Sequence, residues 1–176
     1  EGEGVRRGLP QHEGTEGQSR KKRRLGKSGL EGWALGYGCR GLSYGYGPGV
    51  SKEEGIGIIR AAHERGVTFF DAAEAYGPFV NESLVGEALA PVRDEVVIAT
   101  KVNYPMSDKP NAQGLSRKHI LSSIDASLKR LGTDHIDLYV IHRFDPNTPI
   151  EETLEALDTV VRPGKARYIG ASSMHA

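Results

Sequence analysis

The chain has 176 residues, with 23 basic and 23 acidic side chains that cancel to a net charge of zero, and a pI near 7.3. Such a balance provides no field to draw the protein to nucleic acid or to an anionic membrane surface, and no apolar run reaches the length of a transmembrane helix. The single cysteine, Cys39, rules out an intrachain disulfide, and with no signal-peptide pattern this leads us to expect a reducing, cytoplasmic compartment.

Residues 1–20 are rich in Gly, Glu, Gln and Ser and nearly devoid of apolar side chains. A segment of this composition cannot bury enough surface to fold, so 1–22 is expected to be a disordered, low-complexity leader to a folded unit over 23–176. The basic run Arg20–Arg24 can be read as a localisation or nucleic-acid tract, but the neutral overall charge favours the solvated start of a β-hairpin over Arg23–Leu30 with its turn at Ser28-Gly29.

Ala34–Cys39 is predicted as a first strand. It carries Gly36-Tyr-Gly38-Cys-Arg-Gly41, which matches the dinucleotide fingerprint G-x-G-x-x-G and makes Gly38 a candidate cofactor-binding position. That fingerprint requires a helix opening within the glycines, so that its N-terminus meets the pyrophosphate. Here a Gly- and Tyr-rich loop containing Pro48 follows, and no helix can begin before Ser51, which makes the doubly wound reading the lesser one.

Ser51 and Glu54 form a capping box for a helix over 51–65, with Gly66 beyond its end. Ile56, Ile59 and Ala62 share a face, while Gly55 and Gly57 each weaken the helix by about 1 kcal/mol. Val67–Phe70 is a short buried strand ending on Asp71, and Tyr76 lies on the loop that follows. Asn81 is expected to cap a second helix, with Val80 and Val85 as its hydrophobic staple, Leu84, Ala88 and Leu89 on its core face, and Pro91 as its stop. Glu95–Lys101 is a strand ending in a lysine. Ser116 caps a third helix with Ile120, Ile124, Leu128 and Leu131 on one stripe, closed by Gly132. Ile136–His142 is a strand ending in a histidine, and Thr148 with Glu151 forms another capping box for a helix to about Val161. After Pro163-Gly164, a last strand over Ala166–Gly170 leads into Ser172-Ser173.

Strands alternating with helices imply a parallel sheet with right-handed crossovers. In such folds, chemistry gathers at the carboxyl ends of the strands. Those ends carry Asp71, Lys101, His142 and Ser172, with Tyr76 one loop beyond Asp71. Singly, each has a bland explanation: a capping Asp, a snorkelling Lys, a rim His or Tyr, a capping Ser. Together they suit proton donation to a carbonyl. A phenol with its ordinary pKa near 10 is a poor acid at neutral pH, and a nearby ammonium favours its ionised form. An aspartate holds the ammonium charged and in place, and an imidazole can orient the substrate oxygen or assist the proton transfer. Hydride would come from a nicotinamide.

On the motifs Phe70-Asp71-Ala-Ala-Glu-Ala-Tyr76-Gly77, Ile98-Ala-Thr-Lys101, Leu138-Tyr-Val-Ile-His142-Arg143 and Gly164-Lys-Ala-Arg-Tyr-Ile-Gly-Ala-Ser172-Ser173, the chain resembles the aldo-keto reductases from about Arg23 onward. The resemblance is to the aryl-alcohol-dehydrogenase-like or pyridoxal-reductase-like branch. It implies a (β/α)8 TIM barrel of which about five βα units are present, with an N-terminal β-hairpin closing the barrel bottom. It also implies NADPH-dependent reduction of aldehydes or ketones by a tetrad of Asp71, Tyr76, Lys101 and His142, with Tyr76 as general acid and Ser172 on the nicotinamide carboxamide. No metal is implied. Ser173 stands where many members have Asn, which shortens one carboxamide contact. Arg40 stands where relatives carry an apolar residue, near the substrate mouth. With a start at Glu1 and a stop at Ala176, just after a strand, further segments are expected on both sides. The last three strands would hold the adenosine phosphates, so this chain alone is expected to bind cofactor poorly, to self-associate and to lack turnover.

Two other functions fit parts of this pattern. A cofactor-binding regulatory subunit, similar to ion-channel β-subunits, would keep the same pocket. A metal-dependent barrel hydrolase or isomerase would use Asp71, Glu74, His142 and Asp145, although Lys101 nearby disfavours a cation there.

Overall fold

The computed structural model describes residues 21–45, 47 and 49–174. The low-complexity segment before Lys21, and Pro48, lie outside the described residues. The described residues open with a hairpin of β1 (Lys22–Arg24) and β2 (Glu31–Trp33), paired antiparallel. Lys22 is thus part of a strand and not of the leader. The basic tract ends as exposed hairpin residues. The connection is longer than the two-residue turn expected at Ser28-Gly29: it runs over Leu25–Leu30, closed by Leu25 N donating to Leu30 O at 2.8 Å.

The remaining strands, β3 (Tyr37–Gly38), β4 (Phe69–Asp71), β5 (Val97–Val102), β6 (Ile136–Ile141) and β7 (Ala166–Ala171), form one sheet in the order β3-β4-β5-β6-β7, every pair parallel. A sheet in strict chain order is how a barrel is laid down; a doubly wound sheet reverses direction at a switch point. This order, and a 3-10 turn at Cys39–Leu42 where the fingerprint needs an α-helix, overturn the dinucleotide-fold reading. The first strand is also shorter than Ala34–Cys39, because Ala34–Gly36 serve as the passage from hairpin to sheet.

Helices α1 (Lys52–Glu64), α2 (Asn81–Leu89), α3 (Arg117–Leu131) and α4 (Ile150–Val161) cover the outer face. Phe70, Ile98 and Tyr139 from the strands meet Ile59, Leu84, Ile120, Ile124, Leu157 and Val160 from the helices in one buried cluster. Two caps match expectation. Ser51 Oγ accepts from Glu54 N at 3.1 Å, and Ser116 Oγ from His119 N at 3.3 Å.

Two other expected caps fail, the first residue turning to distant partners and the second to a near neighbour in the chain. Asn81 is a buried first-turn residue whose amide donates to Cys39 O at 2.9 Å and to Ser43 Oγ at 2.8 Å. Val80 occupies the cap position and is 57% exposed, so it makes no staple with the buried Val85. Thr148 donates its hydroxyl to Asp145 at 2.8 Å, and α4 starts after Pro149 without a side-chain cap. Gly55, expected only to weaken α1, is a contact point: a Cβ there would stand 2.8 Å from Leu84 Cδ2 of α2.

At the sheet's edges, β3 and β7 each have a neighbour on one side only among the described residues. Ile169 of β7 is 43% exposed, and Leu35 beside β3 is 66% exposed. Unpaired parallel edges beside apolar side chains invite further pairing. Expressed as these 176 residues alone, the protein should elute from gel filtration as concentration-dependent oligomers. Elution as a monomer at all concentrations would show the edges to be self-protecting.

Candidate active site

The carboxyl end of β4 delivers Asp71, and the turn after it is tightly pinned. Ala72 N donates to Ala99 O at 2.8 Å, and Tyr76 N to Ala73 O at 3.1 Å. Glu74 turns inward toward α3 and is 2% exposed. Its carboxyl accepts from Asn103 N at 3.1 Å and from the Ser123 hydroxyl of α3. Burial pushes the Glu74 carboxyl up to about 7, against the pull of these hydrogen bonds. Tyr76 is held from the other side, where Ser43 Oγ donates to its carbonyl at 3.0 Å. Asn81 fixes that same Ser43 through its side-chain N–H, while its Oδ1 accepts no hydrogen bond among the described residues.

Lys101 projects from β5 and is 7% exposed. Its Nζ lies 2.7 Å from both Asp71 carboxylate oxygens, 2.9 Å from Ala72 O and 3.3 Å from Tyr76 Oη. An ammonium has three protons. Here a carboxylate, a carbonyl and a phenol oxygen take them, so one buried cation fixes the strand end, the turn and the phenol together.

His142 follows β6, and its N–H donates to Val102 O at 3.0 Å. The imidazole meets the Tyr76 ring edge-on, with centroids 5.5 Å apart at 86°, and Tyr104 at 4.9 Å and 85°. Burial first, then the positive charges of Lys101, Arg143 and Arg40, lower its pKa to about 4. The ring is therefore neutral through the physiological range, able to donate from one nitrogen and accept at the other. Arg40, Tyr44, Ala75, Tyr76, Tyr104, His142 and Arg143 enclose a cavity of about 220 Å³.

The structure thus brings Asp71, Tyr76, Lys101 and His142 together. Gly38 is in register with Asp71 across the β3–β4 pair, at the exposed end of β3, where a Cβ would meet nothing within 4 Å. Ser172 and Ser173 sit past β7, the first anchored by its N–H to Ile141 O at 2.8 Å and the second accepting from the Arg143 guanidinium. Sequence reasoning missed Tyr104 and the part played by Arg143. The signals were an aromatic three residues past Lys101 and the basic residue directly after His142.

The metal reading fails on geometry. Glu74 faces α3, and Asp145 ties its own loop to the segment before α3, accepting from Asn147 N at 2.9 Å and Leu115 N at 2.8 Å. Burial opposes the charge on Asp145, yet these bonds and the Thr148 hydroxyl outweigh it and hold the carboxyl below its usual range. Among the described residues, no three His, Cys, Asp or Glu side chains could share an ion.

The model of the Aldo/keto reductase family matches residues 34–176. The chain belongs to the aldo/keto reductase family. It is similar to a probable aldo-keto reductase 1 of Glycine max, at 41% identity over 85% of this chain and 44% of the relative. An L-glyceraldehyde 3-phosphate reductase of Escherichia coli K12 matches at 43% identity over 86% of this chain and 44% of that protein. Among solved structures, the holo form of an aldo-keto reductase from Bacillus halodurans superposes with a TM-score of 0.79 at 35% identity, covering 88% of this chain and 50% of that one. The chain therefore spans about half the length of the relatives it matches, and its five-stranded sheet is an incomplete barrel of the family's type. No helix among the described residues is long and apolar enough to cross a membrane.

Proposed function

We propose that these residues carry the reacting centre of an NADPH-dependent reductase of aldehydes or ketones. One observation supports this reading above the others: Lys101 Nζ binds Asp71, Ala72 O and Tyr76 Oη at once, beside a neutral His142. Tyr76 Oη is the proton donor to the developing alkoxide. Lys101 keeps a positive charge 3.3 Å from that oxygen, where it stabilises the phenolate left behind. Asp71 orients the ammonium and neutralises it in the resting site. His142 donates a hydrogen bond to the substrate carbonyl oxygen and sets its direction.

The nicotinamide end of the cofactor fits the residues present. Gly38 leaves open space beside Asp71, and the Ser172 and Ser173 hydroxyls stand at the end of β7. When bound, the cofactor supplies hydride to the carbonyl carbon. The names of the Glycine max and Escherichia coli relatives both specify a reductase, and a full set of polar groups at the strand ends favours catalysis over a regulatory, cofactor-sensing role.

In the full gene product, a small aldehyde should cause oxidation of NADPH with one alcohol formed per nucleotide consumed, and NADH should serve less well. Nucleotide binding without aldehyde-dependent oxidation would instead indicate the regulatory role.

A further inference from the structure

The β4–β5 pairing ends where Asp71 stands opposite Ala99. Past that point the chain after β4 turns away, yet its bonds to β5 continue. Ala72 N donates to Ala99 O at 2.8 Å, and Glu74 N to Lys101 O at 3.4 Å. One step further, where a continued strand would offer a backbone carbonyl, the Glu74 carboxylate takes its place and accepts from Asn103 N at 3.1 Å. Glu74 therefore holds β5 on both sides of Val102, by its own N–H and by its side chain. The other carboxylate oxygen accepts from the Ser123 hydroxyl of α3. His119 Nε2, also on α3, is 3.9 Å away, too far for a hydrogen bond, and burial lowers its pKa. The tie from Glu74 to α3 is thus the Ser123 hydroxyl.

The reacting centre lies across this clamp. Glu74 stands three residues after Asp71 and two before Tyr76, and Asn103 stands two after Lys101. The Asn103 side-chain amide donates in turn to Arg143 O at 3.4 Å, next to His142. Lys101 Nζ and Tyr76 Oη are 3.3 Å apart, just beyond the usual span of such a bond, so even a small slip between the turn and β5 would break it. An apolar side chain of similar size would avoid the cost of burying a carboxyl, which pushes the Glu74 pKa up to about 7, but could accept from neither neighbour. Glu74 does not line the cavity around Tyr76 and His142, so whatever it does for the reaction passes through other residues.

We propose that Glu74 is a positioning residue for the reduction: its carboxylate, anchored on Ser123, extends the β4–β5 pairing and thereby sets the reach of Lys101 to the Tyr76 hydroxyl. The inference rests on the carbonyl-reductase reading and adds to it a residue that touches neither substrate nor nucleotide.

In the full gene product, Glu74→Leu should lower kcat for aldehyde reduction by about 10- to 100-fold, as a misplacement of about 1 Å does, while KM and NADPH affinity stay within about threefold. Glu74→Gln should recover most of the loss, because its amide oxygen can accept from Asn103 N while its N–H donates to Ser123 Oγ. Ser123→Ala removes the anchor alone and should lower kcat about fivefold, the worth of one hydrogen bond. Pulses of acetic anhydride on the nucleotide-free protein give a readout that needs no turnover. Lys101 should acylate faster in Glu74→Leu and Ser123→Ala than in the wild type or Glu74→Gln. Val160→Ala, at a buried position of α4, is the stability control. It should lower the urea midpoint and change neither kcat nor Lys101 acylation.

A fall in kcat that tracks lost stability, in Val160→Ala as in Glu74→Leu, would reduce Glu74 to a packing residue and overturn the proposal. Wild-type kcat and acylation in Ser123→Ala would overturn it too, and that variant is mild enough to decide the matter if Glu74→Leu does not fold. Failure of the wild type to reduce any aldehyde would count against the reductase reading instead, and the acylation rates would still decide whether Glu74 holds Lys101 in place.

Discussion

Replacing Tyr76 by Phe in the full gene product should lower aldehyde-dependent turnover by about 10²- to 10⁴-fold, the usual contribution of a positioned proton donor. Nucleotide affinity should change little. The substitution removes one oxygen and leaves the ring, whose edge-on contact with His142 and whose place 4.8 Å from Lys101 Nζ do not depend on the hydroxyl. Lys101 would keep its Asp71 and Ala72 partners, so the variant should fold. The informative comparison is between kcat and the nucleotide dissociation constant. Turnover within threefold of wild type would remove Tyr76 from the proton transfer and leave water or His142 as donor. The latter is a poor donor here, since burial and the neighbouring positive charges lower its pKa to about 4 and leave its protonated form scarce at neutral pH.

The second large effect is structural. Gly86, in α2, faces α3 so closely that a Cβ would lie 2.1 Å from Leu131 O and 2.7 Å from Leu131 Cα. Backbone cannot step aside as a side-chain tip can. Gly86→Ala should therefore cost at least about 3 kcal/mol, the upper end of overpacking penalties, and far more than the ~1 kcal/mol of helix propensity that alanine brings. Gly57 supplies the control. It is exposed on α1, and a Cβ added there would meet nothing within 4 Å, so Gly57→Ala should stabilise the protein by up to about 1 kcal/mol. Urea unfolding of the two variants side by side should give opposite shifts in midpoint. A neutral Gly86→Ala would mean that α2 and α3 can separate freely.

Other residues mark where sequence and structure part. The βα rhythm, the strand-end positions of Asp71, Lys101 and His142, and the left-handed Gly132 after α3 were all legible, because they depend on local alternation and on residues close in the chain. Gly55 read as a helix weakness, since its use depends on Leu84 nearly thirty residues away. Asn81 read as a cap because Asn near a helix start usually is one, yet its partners Cys39 and Ser43 belong to another unit of the fold. Glu74 and Asp145 looked like metal ligands by type. Burial against α3 took one, and a loop of backbone N–H groups took the other. In each case a distant partner outcompeted the local role, and nothing in the nearby residues announces that partner. The same holds for Tyr104, whose contact with His142 joins two loops.

The order of the sheet has a bearing on how the protein comes into being on the ribosome. Asp71, Lys101 and His142 lie at the ends of β4, β5 and β6, three adjacent strands met in that order by the emerging chain. Each new strand docks beside the one made just before it, through a crossover helix already released. The Asp71–Lys101 ion pair can thus form as soon as β5 has left the exit tunnel, and the imidazole arrives with the next unit. Nothing synthesised later is needed to bring those charges together. Translation can pause after β6 with the acid–base cluster already assembled, and a nascent chain at that stage should show the Lys101 amine protected from acylation before any of the later strands exist.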